Sequence, residues 1–387
     1  MISEKTTQIL PECVALRRLL HENAELSFEE YKTTEILMER LSAISGLTFY
    51  RPCRTGVIAT LQGAFPGPVI AIRADIDALP ITEENDLPFR SKNPGAMHAC
   101  GHDGHTAMLL AAAKILAGEA DKLHGTVKFI FQHAEELPPG GAEELVKAGV
   151  LADVDEVYGL HLSSLYPTGH FGIRPGALTS ATDRFDIVIK GKGGHSAYPE
   201  GCIDPIVIAG QVITSLQTLV SRQISATEPA VVSICQLSAG TAYNIIPGEV
   251  KITGSTRTFN PKTREVLPKK MEAIVKGACD AYGASYEFTF SLGYASVIND
   301  EKLTAWARNL VVSTFGEERV FAIGPLMPGE DFAAMSAIRP GFFVEPGAGT
   351  APDCNVPHHN ARYRMDEDAL AYGIEYFCQL VRTRLSV

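Results

Sequence analysis

The chain has 387 residues, 45% hydrophobic and 20% charged, too long for one comfortable core and too ordinary for a disordered polymer, so two domains are expected. Its formal net charge of -11 repels phosphate backbones and no basic run offsets it, which argues against nucleic acid as a partner. No apolar stretch approaches the roughly 20 residues that span a bilayer, and Met1 to Leu20 lack an apolar signal core. The eight cysteines are scattered without a disulfide framework, so the expectation is no membrane and a reducing cytoplasm.

Ser3 to Ser45 has helical periodicity, broken around Asn23 to Ser27. Val57 to Leu61 and Val69 to Arg73 read as short strands, Thr106 to Ala117 as an alanine-rich helix, and Val127 to Gln132 as an apolar strand. Gly141 to Ala148 is helical and Val157 to Leu162 is a further strand. This interleaving predicts an α/β domain with a mixed, mostly parallel sheet flanked by helices. Near Ala181 the rhythm changes. Arg184 to Lys190, Ala230 to Leu237, Glu249 to Phe259 and Ser285 to Ser291 read as strands, with helices at Pro205 to Arg222 and Pro261 to Tyr282. That β-α-β-β-α-β order is the split motif of a ferredoxin-like unit. Helix and strand alternation resumes after Asn299, with Phe342 to Glu345 a short strand. The expected organisation is a discontinuous catalytic domain, 1–180 and 293–387, interrupted by an α+β ferredoxin-like domain at 181–292.

Four motifs carry the chemistry, each just beyond a strand or at a helix start. They are Asp75-Ile76-Asp77, Cys100-Gly101-His102-Asp103-Gly104-His105, Glu135-Glu136 and His161, with His358-His359 near the C-terminus. Ligands of open α/β sheets bind beyond the carboxyl ends of the strands, so these groups should converge there. Each alone has a bland reading: an incidental loop Cys-x-His, a solvated pair of glutamates, a satisfied core histidine. Together they supply thiolate, imidazole and carboxylate, the ligands of zinc-like ions. On an irregular segment two adjacent glutamates can divide the labour, one ligating and the other accepting the proton of a metal-activated water.

These motifs resemble the amidohydrolase branch of the dinuclear metallopeptidases, which includes hippurate hydrolase, aminoacylases, N-acetyl-diaminopimelate deacetylase and the plant auxin-conjugate hydrolases. The resemblance runs through nearly the whole chain. It is carried by Met97 to His105, Arg73 to Pro80, Gln132 to Glu136, Gly194-His195-Ser196-Ala197 and Asn244-Ile245-Ile246-Pro247. It implies two divalent ions per subunit, zinc or manganese with cobalt or nickel as alternatives, held by Cys100, His102, Glu136, His161 and His359. It makes Glu135 the general acid/base and Asp77 a carboxylate that orients a ligand. His359 is preferred to His358 by its distance from Tyr363 and Asp366, although Asn360-Ala361 stands where the family usually has a proline. Ala24 also replaces a usual proline.

The inserted domain becomes, by the same resemblance, a lid and a homodimerisation surface. His195 reaches a neighbouring subunit's site to stabilise the oxyanion, while Asn244 and Arg257 bind the substrate's carboxylate or carbonyl. A guanidinium suits a carboxylate, and a structural salt bridge is the competing account of Arg257. The substrate expected is a small N-acyl amino acid. A dipeptidase or carboxypeptidase is the alternative within the family. A cysteine-nucleophile amidase with Cys100 attacking and His102 or His105 as base leaves Glu135, Glu136, His161 and His359 idle. A non-enzymatic scaffold would not need Glu135.

Overall fold

The computed structural model describes residues 1–386, in which the chain forms two units. One comprises Met1–Leu178, Val297–Pro325 and Asp331–Val387, the other Thr179–Ser296 and Leu326–Glu330. In chain order the first unit begins with helices α1 (Glu4–Glu22) and α2 (Tyr31–Ser42). Ser3 caps α1 by accepting a hydrogen bond from the Thr6 amide. Strands β1 (Leu47–Tyr50), β2 (Val57–Gln62) and β3 (Phe65–Asp75) follow, then α3 (His102–Ala117), β4 (His124–Gln132), α4 (Gly141–Lys147), β5 (Glu156–Leu160) and β6 (Phe171–Ile173). The second unit holds β7 (Ala181–Lys190), α5 (Pro205–Thr218), β8 (Ala230–Ala239), β9 (Glu249–Thr258), α6 (Pro261–Tyr282) and β10 (Ser285–Leu292). The first unit closes with α7 (Glu301–Phe315), β11 (Val320–Ala322), α8 (Phe332–Ser336), β12 (Gly341–Pro346) and α9 (Ala369–Arg384).

The first unit is built on an eight-stranded sheet, ordered β1-β2-β4-β3-β5-β12-β6-β11. The pairs β4–β3, β3–β5, β5–β12 and β6–β11 are parallel, and the others antiparallel. The central strands are buried on both faces, which is why Val127–Phe131 and Ile70–Ala74 read as almost continuous apolar runs. Helix α3 is buried along nearly its whole length and packs against α1, α9 and β3. Alanines at 107, 111, 112 and 113 let those neighbours approach, and an apolar helix of this kind belongs inside a core. The second unit has its own core, with α5 and α6 packed on an antiparallel sheet ordered β8-β9-β7-β10.

Three expectations shift. Helix α3 starts at His102 and not at Thr106, because Gly101 takes the left-handed φ of +88° that ends the preceding loop. This puts His102 and His105 on the helix itself. The helix from Pro205 stops at Thr218, and Leu219–Gln223 winds as a wider π turn. Strands β1, β6 and β11 are too short to leave a periodic signal.

Candidate metal centre

The parallel strands β3, β4 and β5 end side by side, and their carboxyl ends deliver Asp75-Asp77, Glu135-Glu136 and His161 to the N-terminus of α3. Cys100 lies at the middle of the group. Its Sγ is 3.2 Å from His161 Nε2 and 3.5 Å from His359 Nε2. Glu136 Oε1 stands 3.3 Å from His359 Nε2 and 3.8 Å from His102 Nε2. All five expected ligands therefore meet, and they come from strand ends, a helix start and the loop before α9.

The surrounding hydrogen bonds aim these donors. His102 Nδ1 donates to the Asp77 carbonyl at 3.0 Å and lies 3.3 Å from its carboxylate, leaving Nε2 as the lone-pair nitrogen. His161 is set the same way, with Nδ1 donating to the Leu162 carbonyl at 2.9 Å. Asp77 also accepts from the Glu136 amide at 2.9 Å and from the Ser27 hydroxyl at 2.7 Å, so it ties the glutamate pair to the helix start. His105 has a different task. Its Nδ1 donates to Asp75 at 2.6 Å and its Nε2 accepts from the Leu162 amide at 2.9 Å, which uses both nitrogens. It is unavailable as a base for Cys100.

A divalent cation fits this donor set. His102 Nε2, Glu136 Oε1 and His358 Nε2 are buried without a hydrogen-bond partner, a costly arrangement for polar atoms unless an ion is there to take them up. Burial, then Glu136 and Glu135, push the Cys100 thiol well above its ordinary range. A thiolate among carboxylates needs a cation beside it, which also disfavours Cys100 as a free nucleophile. Burial pulls the other way on His102, yet Asp75 and Asp77 raise it to about 10, and a cation at Nε2 takes the place of that proton. Burial and the neighbouring His105 lower His161 well below the usual imidazole range.

Glu135 is buried beside Glu136, and one of its carboxylate oxygens lies 3.4 Å from the Asp331 amide. Two residues that the sequence reading passed over hold this segment. Glu30 accepts from the amide of Ala134, whose φ is +50°, and from Thr55. Asp331 accepts from Arg73, Gln132 and the Ala142 amide. Glu30 sits in the acidic stretch Glu29-Glu30, and Asp331 in a glycine-flanked acidic pair, weak signals that nothing in the chain order links to the site. The structure also brings His358 to the group, although the resemblance favours its neighbour: Cys100, His161 and His358 place donor atoms within 4.8 Å of one another. Burial and His105 lower it to about 3. His359 has the left-handed φ of +60°, and each imidazole of the pair has a donor atom within 4.8 Å of Cys100 Sγ.

The remaining expected residues belong to the second unit. His195 is exposed on a two-residue strand paired with Ile245–Ile246, and the Ser196 amide donates to the Asn244 carbonyl, so His195 and Asn244 are neighbours. Arg257 lies in the central strand β9 and donates to the Thr256 carbonyl. Among the described residues no ion pair of Arg257 is found.

Soft and hard donors gathered at the strand ends of an α/β sheet, with the Glu135 carboxylate beside them, define a metal-dependent hydrolase. Residues 71–383 match the model for peptidase family M20/M25/M40, and the chain belongs to that family. It is 53% identical over 298 residues to an N-acyl-L-amino acid amidohydrolase of Geobacillus stearothermophilus, covering 77% of this chain and 80% of that one. It is 44% identical to an N-acetylcysteine deacetylase of Bacillus subtilis, over 95% of each chain. Its fold superposes with TM-score 0.87 and 38% identity on the Bacillus subtilis YXEP protein, described as a dinuclear metal-binding peptidase, covering 98% of this chain and 99% of that one. The chain is thus a divalent-metal hydrolase of amide bonds.

Proposed function

We propose that the protein hydrolyses the amide bond of N-acyl amino acids, using two divalent ions per subunit. One observation carries the reading: Cys100 is shared by two donor sets, with Glu136 and His359 on one side and His161 and His358 on the other, and Glu135 lies beside them. Two donor sets that meet at one thiol would suit a pair of ions. Cys100, His102, Glu136, His161 and His359 hold them, with zinc or manganese first and cobalt or nickel as alternatives. When bound, such ions acidify water and polarise the scissile carbonyl.

The chain's own groups do the rest. Glu135 takes a proton from the attacking water and passes it to the departing nitrogen. Asp77 fixes the tautomer and direction of His102 while anchoring the Glu136 amide. His195 donates to the developing oxyanion, and Asn244 and Arg257 bind the carboxylate of the amino acid. The protein acts as a homodimer through the edge of its ferredoxin-like sheet, a reading supported by the exposed Leu237, Tyr243 and Ile245 at and after edge strand β8. The eight cysteines are free, which supports a reducing cytoplasm.

A second reading has its own support, because the chain is 37% identical, over 93% of its length, to a protein named thermostable carboxypeptidase 2 of Saccharolobus solfataricus. A panel of N-acetyl and N-benzoyl amino acids and matched dipeptides, assayed with each metal, separates the two. The proposal expects kcat/KM to be highest on an acyl amino acid. Preference for the dipeptides would replace it by the carboxypeptidase reading.

A further inference from the structure

A second cluster of metal-ligating side chains lies in the first unit, apart from the residues above. Cys53 is in the bend between β1 and β2, His133 follows β4, and Glu144 is on α4. Their donor atoms all lie within 4.8 Å of one another. Chain segments far apart in sequence thus bring a thiol, an imidazole and a carboxylate to one place.

The His133 ring is fixed. It is 1% exposed, Phe28 packs edge-on against it at 5.7 Å, and the backbone of Gly56 and Gly141 lies close to its Nδ1 face. Its Nε2 stands 3.0 Å from Glu144 Oε2, and its Nδ1 has no hydrogen-bond partner. Two donors on one zinc-like ion stand roughly 3 to 4 Å apart, given bonds of about 2.0 to 2.3 Å, so the imidazole and the carboxylate already have the required separation. Cys53 is half-buried on a bend and Glu144 is half-exposed, so both have the freedom to close on an ion. Burial and then Glu144 raise the Cys53 thiol.

We propose that Cys53, His133 and Glu144 form a further divalent-metal site, selective for a thiophilic ion such as zinc and open to solvent at a fourth position. Binding displaces the Cys53 proton to solvent, shifts the His133 proton from Nε2 to Nδ1, and replaces the His133–Glu144 hydrogen bond by two metal bonds. The ion ties the β1–β2 bend and α4 to His133, which stands two residues before Glu135 in the chain.

The test uses the metal-loaded enzyme and its Cys53→Ser/Glu144→Gln variant, both titrated with zinc chloride. Both positions are partly exposed, so the variant is expected to melt like the wild type in the absence of added zinc. Wild type should take up one zinc per subunit more than the variant by elemental analysis. In parallel, N-ethylmaleimide labelling of the Cys53 peptide in the wild type should slow about tenfold once zinc exceeds its dissociation constant about tenfold. The exposed Cys235 serves as the control whose rate stays constant. Equal zinc content in the two proteins, or labelling of Cys53 that zinc does not slow, would overturn the site whatever the state of the Cys100 centre.

Discussion

At the scale of single residues, Glu135 and Glu136 are adjacent in sequence and the proposal gives them different tasks. Glu136 presents a buried oxygen without a hydrogen-bond partner to His359 and His102, whereas Glu135 lies by the Asp331 amide. Glu135→Gln should leave metal content intact and lower kcat by about a hundredfold or more, the size of a lost general acid/base. Glu136→Gln should lose metal. Elemental analysis beside steady-state kinetics checks both, and the opposite pattern would exchange the roles. The gathering of these candidate ligands was legible in the sequence because cysteine, histidine and carboxylate residues recur just beyond strand ends. Glu30 and Asp331 were not, since each acts by accepting backbone amides from segments distant in the chain. His358 was hidden by its neighbour: two adjacent histidines look like alternatives until the structure places a donor atom of each beside Cys100.

At the scale of elements, α3 carries the centre, and the residues that brace it are spread over the first unit. Past its C-terminal end, Glu119 accepts from Lys5 of α1 at 2.6 Å and from both Nε and Nη2 of Arg382 on α9 at 2.8 Å each. Burial alone would raise the Glu119 carboxyl, but these cations hold it at about 2, below its ordinary value of 4.5. A carboxylate depressed on folding stabilises the native state above its unfolded pKa, and that stabilisation is lost as pH falls towards the folded value. The melting temperature of Glu119→Gln should therefore lie furthest below wild type near neutral pH, and the gap should shrink as pH falls from about 4.5 towards about 2. A gap independent of pH would mean that Glu119 acts by packing and not by charge. Long periodic elements such as α1 and α6 were plain in the sequence. The start of α3 was not, because His102-Asp103-Gly104-His105 lacks an apolar period and its helix is set by Gly101 and by burial.

At the scale of the whole molecule, the β-α-β-β-α-β order was readable from spacing alone, and the structure arranges it as the β8-β9-β7-β10 sheet. The return of Leu326–Glu330 to that unit was not readable, since five residues of loop carry no pattern. If His195 of one subunit serves the centre of the other, homodimers of His195→Ala and of Glu135→Gln should each be nearly inactive. A mixed dimer carrying one mutation per subunit should regain about half the wild-type rate, because uncoupled sites contribute additively. No recovery after confirmed subunit exchange would confine His195 to its own subunit. The central claim is metal-dependent amide hydrolysis, and the most direct measurement is turnover of an N-acyl amino acid against bound metal in the same sample. The account predicts that turnover falls with metal as a chelator strips the protein and returns when divalent metal is restored. Full turnover in rigorously metal-free protein would contradict it.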